Sequence, residues 1–205
     1  MKTFSDIIQE TLRYGFSDGP QVNEARIKDW INEAQRMVAT NTVAKEFEAA
    51  GTIALTVGKY KYTLPTDFDM IESVFDPEST LRLRPVDLQT FDANNIEVQG
   101  IPTVYTLWAK EIWVYPLPST AHNLELRYIK EPKTLVAGTD VPDMDPDYLH
   151  LLVDYALARA YRSEDDLEAA NQHQATFDRD VGKYAAAVQH RIIDKPQQLL
   201  GTWSH

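Results

Sequence analysis

The chain has 205 residues, 43% of them hydrophobic and 25% charged, enough for one large globular domain or two small ones. It contains no cysteine, which excludes disulfides and thiolate metal sites, and no apolar run approaches the roughly 20 residues that span a bilayer. Its 20 Lys and Arg stand against 31 Asp and Glu, and a net charge of −11 argues against tight duplex binding, which depends on basic side chains displacing counterions.

The first residues lack the basic-then-apolar pattern of a signal peptide, so a soluble protein used without export is expected. The acidic surplus is uneven: six basic against eight acidic residues in 1–51, eight against eleven in 52–135, and six against twelve in 136–205. Ordinary solubility charge is the simplest reading. An acidic wall around a passing duplex is also compatible, since it would repel the duplex rather than hold it.

Residues 3–14 carry Phe4, Ile7, Ile8 and Leu12 on one side of a short helix, and the run Gly15 to Pro20 breaks it. A long helix is predicted from about Asn23 to Ala50. Its stripe is Ile27, Trp30, Ile31, Ala34 and Val38, continuing through Val43 and Phe47, with Gly51 where a C-terminal cap belongs.

At Thr52 the period changes from helical to alternating. Ile53, Leu55 and Val57, then Gly58-Lys59, then Tyr60, Tyr62 and Leu64 predict a β-hairpin that Leu64-Pro65 ends. Met70 to Phe75 and Leu81 to Arg84 are further short strands, and Val86 to Asp92 holds a helical turn or two. Thr103 to Trp108 and Glu111 to Tyr115 predict a second hairpin across Ala109-Lys110, and Asn123 to Lys130 is a last strand with Leu124, Leu126 and Tyr128 on one face.

Two amphipathic helices follow. Leu149, Leu152, Ala156 and Ala160 line the first. Leu167, Ala170, Gln174, Phe177, Val181, Tyr184 and Val188 line the second, in alternating steps of three and four. Ser163-Glu164-Asp165-Asp166 between them has the form of a capping box. The expected fold is α+β: an antiparallel bundle of two N-terminal and two C-terminal helices with an inserted small antiparallel β-sandwich or barrel. Its parts are helices in 1–51, a β module in 52–135, a helix pair in 136–191 and an extended tail in 192–205. The near-neutral tail carries Ile192, Ile193, Pro196, Leu199, Leu200 and Trp203, and these apolar anchors suit docking onto a partner.

No catalytic signature is present: no dinucleotide or phosphate-binding glycine loop, no His-Glu-x-x-His and no nucleophile elbow. Asp140, Asp143, Asp145 and Asp147 could ligate a hard cation, but the loop lacks the glycine and glutamate that an EF-hand requires. Helix capping and turn formation explain these carboxylates more simply. His150, His173 and His190 lie in the closing helices without metal-pair spacing, and His122 and His205 need no special role. Tyr105, Trp108, Trp113, Tyr115 and Tyr128 suit a sheet core first and a partner interface second. Trp108, Trp113 and Tyr115 are therefore the subunit or tail interface candidates.

The order of motifs resembles the head-to-tail adaptor (connector) proteins of tailed phages, closest to the adaptors of short-tailed phages. The resembling stretches begin with Trp30-Ile31-Asn32-Glu33-Ala34 and Tyr62-Thr63-Leu64-Pro65-Thr66-Asp67-Phe68 leading into Ile71. They continue with Gly100-Ile101-Pro102-Thr103-Val104-Tyr105, with Ile112-Trp113-Val114-Tyr115-Pro116-Leu117-Pro118, and with a strand through Tyr128. The acidic-proline loop and the closing helices up to Tyr161 complete a match over roughly residues 4 to 190. The resemblance implies a homo-oligomeric ring, commonly of twelve copies, beneath the portal protein at the virion's head–tail junction. It also implies a C-terminal extension docked on the portal, a distal face receiving tail or nozzle proteins, DNA passing through without sequence-specific binding, and no catalytic residues or cofactors. Two other functions stay open at this point: a tail tube or nozzle component, and a divalent-cation-dependent enzyme using the Asp140–Asp147 loop.

Overall fold

The computed structural model describes residues 2–14, 16, 21–42, 44–94 and 97–194. The chain is α+β, and its contacts divide it into two compact units. One comprises Met1–Phe47 with Glu131–His205, and the other comprises Glu48–Lys130.

In the first unit, helix α1 (Phe4–Leu12) starts at a capping box. Thr3 Oγ1 accepts from Asp6 N, and Asp6 Oδ2 accepts from Thr3 N at 2.8 Å. Helix α2 (Glu24–Thr42) buries Ile27, Ile31, Ala34 and Val38. It stops well short of the predicted Ala50. The hydroxyls of Thr40 and Thr42 bond back to Arg36 O and Val38 O, a local competition that weakens a helix end. A single 3-10 turn follows at Lys45–Phe47, and residues from Glu48 onward are recruited into a strand.

After the second unit the chain returns through a 3-10 turn at Pro146–Tyr148, helix α4 (His150–Ser163) and helix α5 (Leu167–Asp194). Helix α4 packs on α1, α2 and α5, and its buried residues Leu151, Leu152, Val153, Tyr155, Ala156, Leu157, Ala158 and Ala160 surround most of its circumference. A helix apolar on nearly every side is a core helix, and each such Leu or Val contributes about 1.5–3 kcal/mol by leaving water. The capping box predicted at Ser163 does not form. Ser163 Oγ donates to Arg159 O inside α4, and Asp166 caps α5 by accepting from Ala169 N at 3.1 Å. The sharp reversal between the helices is taken up by Asp165, whose φ is +61°.

The returning segment is fixed to α2 by side-chain amides. Asn32 Oδ1 accepts from Leu135 N at 2.8 Å, and Asn32 Nδ2 donates to Leu135 O at 3.0 Å. One turn along, Gln35 Nε2 donates to Lys133 O at 2.9 Å. Further links across the unit run from Arg159 Nη2 to Glu33 Oε1 at 2.6 Å and from Tyr184 OH to Glu46 Oε2 at 3.2 Å. Tyr148 stacks on the Tyr184 ring with centroids 4.1 Å apart. Burial, and then the Glu46 carboxylate, push the Tyr184 phenol well above its ordinary pKa.

The second unit holds strands β1 (Glu48–Ala54), β2 (Lys61–Thr63), β3 (Phe68–Asp76), β4 (Leu81–Arg82) and β5 (Arg84–Pro85), then helix α3 (Leu88–Asp92). Strands β6 (Gln99–Gly100), β7 (Val104–Trp108), β8 (Glu111–Tyr115), β9 (Leu117–Pro118) and β10 (Asn123–Lys130) follow. Two four-stranded sheets have the orders β1-β10-β3-β4 and β2-β8-β7-β5, and β6 pairs with β9. Pairing is mainly antiparallel; β5–β7 and β6–β9 are parallel.

The predicted hairpin around Gly58-Lys59 is not a hairpin. Its two arms enter different sheets, β1 against β10 and β2 against β8. Gly58 still turns the chain, with φ +72°, and the Tyr62 hydroxyl holds the crossover by accepting from Thr56 N and donating to Lys59 O. The second predicted hairpin forms as expected, with Ala109 and Lys110 both at positive φ between β7 and β8. Ile53, Val74, Leu124, Leu126 and Tyr128 of one sheet share a single buried cluster with Tyr62, Tyr105, Ile112 and Val114 of the other.

Asp76 closes β3. Its carboxylate accepts from Ser79 Oγ, Ser79 N and Glu78 N, and it meets His122 Nε2 at 3.2 Å; the two side chains are 1% and 3% exposed. His122 thus has a structural partner that its position in a turn had not suggested. Burial works against the Asp76 charge, but the Ser79 and Glu78 hydrogen bonds and the His122 ring outweigh it and hold the carboxyl below its ordinary pKa.

Asn32→Ala strands the buried Leu135 N–H and should lower unfolding free energy by about 1–3 kcal/mol in urea titration; a loss under about 0.5 kcal/mol would contradict the anchor. Because the folded pKa of Asp76 lies below its unfolded value, the stability it supplies is fully present above that value and is lost as pH falls through the folded one. Melting temperature should therefore drop on acidification below about pH 4, and Asp76→Asn should show a shallower acid limb than wild type from the same titration.

Candidate interaction surfaces

Within the sheet β2-β8-β7-β5 the register pairs Trp108 with Glu111, Thr106 and Lys61 with Trp113, and Val104 with Tyr115. Directly paired residues share a face, so Trp108, Trp113 and Tyr115 lie together on the face opposite the buried Ile112 and Val114. The structure brings these three candidates onto one surface, yet it does not treat them alike.

Trp113 is committed within the chain. Its indole N–H donates to Glu111 Oε2 at 3.0 Å, and Lys61 Nζ lies 4.1 Å from its ring centroid. Phe91 of α3 packs against Trp113, Tyr115 and Tyr60 with centroids 6.0 to 6.4 Å apart, leaving Trp113 and Tyr115 half-buried. Trp108, at the hairpin end, is 54% exposed, and Leu107 beside it is also open. The two border a shallow groove of about 420 Å³ whose other walls include Ile71, Pro85, Val86 and Leu88. Tyr105 and Tyr128 belong to the core. Phe91 and Lys61 were missed by sequence reasoning. The only hint was the short helical stretch that carries Phe91 and the strand position of Lys61 opposite an aromatic.

At the other candidate surface, α5 continues through Asp194, so Ile192 and Ile193 fall in its last turn rather than in a separate tail. Pro196, Leu199, Leu200 and Trp203 lie outside the described residues.

The aspartate loop is occupied by its own backbone. Asp140 Oδ2 accepts from Val136 N at 2.8 Å and Ala137 N at 2.9 Å, and Lys133 Nζ lies 3.4 Å from Oδ1. Those backbone hydrogen bonds, with Lys133 adding to them, pull its pKa below the ordinary value. The loop also supplies the first turn of α1, since Phe4 N donates to Asp140 O at 2.7 Å and Ser5 N to Gly138 O at 2.9 Å. Asp143 Oδ2 accepts from Lys133 N, and Asp145 Oδ1 accepts from Asp147 N at the Pro146–Tyr148 turn. Among the described residues, no group of three or more His, Cys, Asp or Glu is placed to hold a metal ion. His150 and His173 instead face single carboxylates, Asp180 and Asp154. Also among the described residues, no helix is long and apolar enough to cross a membrane.

No curated protein matches the chain. A family model described as SU10 adaptor protein matches residues 2–196, which takes in the helices of both chain ends and every strand between them. The chain therefore belongs to the SU10 adaptor protein family and is, at that level, a phage adaptor.

Proposed function

We propose that this protein is a structural virion component that forms a ring, twelve-fold in our reading, beneath the portal at the head–tail junction. The family match over residues 2–196 carries this conclusion. The ring extends the DNA channel and offers the attachment surface for tail and nozzle proteins. Its helices, taken as an antiparallel bundle of residues 1–51 and 136–191, form the body through which copies meet. The β module of 52–135, taken as a sandwich because both sheets feed one core, faces the tail. Residues 192–205 dock on the portal, with Leu199, Leu200 and Trp203 seated in its crevices.

The electrostatics support a conduit. A net charge of −11 opposes the tight, counterion-releasing grip that basic surfaces have on DNA, which suits a duplex passing through. Trp108 supports the tail-side assignment, because a large exposed aromatic beside a groove is the kind of residue that anchors an interface. Trp113, held by Glu111 and Lys61, lies on the same face.

Removing residues 195–205, which leaves α5 whole, should keep the melting temperature within about 2 °C of wild type and abolish capture by portal rings in co-sedimentation. Portal capture at wild-type level would overturn the docking role of the tail. Trp108→Ala should change stability by less than about 0.5 kcal/mol and weaken binding of tail proteins to the assembled adaptor by tenfold or more, measured by titration. Unchanged binding would remove Trp108 from the tail-side surface.

A further inference from the structure

Strand edges are ordinarily blunted, because a row of unpaired N–H and C=O groups recruits other strands. Three of the four outer strands in the two larger sheets obey that rule: β4 and β5 are two residues long, β5 contains Pro85, and β2 has three residues. Strand β1 does not. It is seven residues long, contains no proline, and carries a single charge at Glu48.

Its register identifies which groups are open. Leu55 N donates to His122 O at 2.8 Å, and the ladder continues through Ile53 with Leu124, Gly51 with Leu126 and Ala49 with Tyr128. Antiparallel alternation then directs the N–H and C=O of Glu48, Ala50, Thr52 and Ala54 away from β10. Among the described residues, none of these groups has a hydrogen-bond partner on that side.

We propose that this edge joins two copies of the chain, their β1 strands pairing antiparallel about a two-fold axis at Gly51 and merging two sheets into one. The sequence of β1 complements itself in that register. Glu48 falls opposite Ala54 and Ala50 opposite Thr52, in both directions, and all four are residues whose backbone groups are free. The only charge therefore faces an alanine, and no like charges oppose each other. The small side chains of Ala50, Thr52 and Ala54 leave room for a second strand at the usual spacing of about 4.8 Å. Glu48 is the one charge along the edge, so no charge pattern there selects a different sequence. The contact is isologous, so it is separate from a ring generated by one rotation axis, and it stands or falls independently of that ring.

The test uses the full-length chain and Thr52→Pro. The N–H lost at that position points away from β10, so the internal ladder keeps its bonds while the edge is blocked. Sedimentation should show wild type as a species with an even number of copies and the folded variant at half that mass. Hydrogen exchange should show the Ala50, Thr52 and Ala54 amides protected at high concentration and released on dilution. A folded Thr52→Pro protein of wild-type mass would overturn the proposal. So would those three amides exchanging freely at every concentration, a result that also decides the matter if the proline variant fails to fold and that leaves the edge to another protein's strand.

Discussion

The helical unit depends on one side chain bonding twice to one residue. Asn32 offers its carbonyl to Leu135 N and its amide to Leu135 O, so a segment returning from 83 residues of β structure is held against α2 as if by a short ladder. The pairing satisfies a buried backbone donor and acceptor together, which a hydrophobic contact could not do. Gln35 repeats the move at Lys133. With the segment fixed, Asp140 ties the next turn, and that turn supplies acceptors to the first N–H groups of α1. The N-terminal helices and the segment 133–140 are thereby joined by hydrogen bonds before any helix-to-helix packing is counted.

That arrangement explains what was legible in the sequence. The stripes of α2, α4 and α5 announced themselves through spacing, and the β7–β8 hairpin through two strand runs around a two-residue turn, because those signals are local. Three features were not local. The end of α2 was misplaced because residues 48–50 are taken by β10, a partner about 80 residues away. The arms around Gly58 looked like a hairpin because the turn chemistry is sound, but partner choice is settled by the shared core. Ser163 matched a capping pattern, yet the chain reverses just beyond it, at Asp165 and Asp166. Asn32 itself was hidden, since a polar residue beside an apolar stripe carries no mark of its distant partner.

The candidate surfaces were legible only in part. Strand alternation placed Trp108, Trp113 and Tyr115 on one face, but sequence could not show that Glu111, Lys61 and Phe91 hold Trp113 while Trp108 stays open. The four aspartates invited a cation through composition alone, whereas the fold decides their partners: the carboxylates of Asp140, Asp143 and Asp145 accept from nearby backbone N–H groups. Among the described residues the informative features are surfaces and anchors, in a chain of the SU10 adaptor protein family.

The most direct test of that account is the native mass of the protein mixed with isolated portal rings. A ring-forming adaptor should give one discrete complex carrying one adaptor copy per portal subunit. A protein that stays free at every mixing ratio would contradict it.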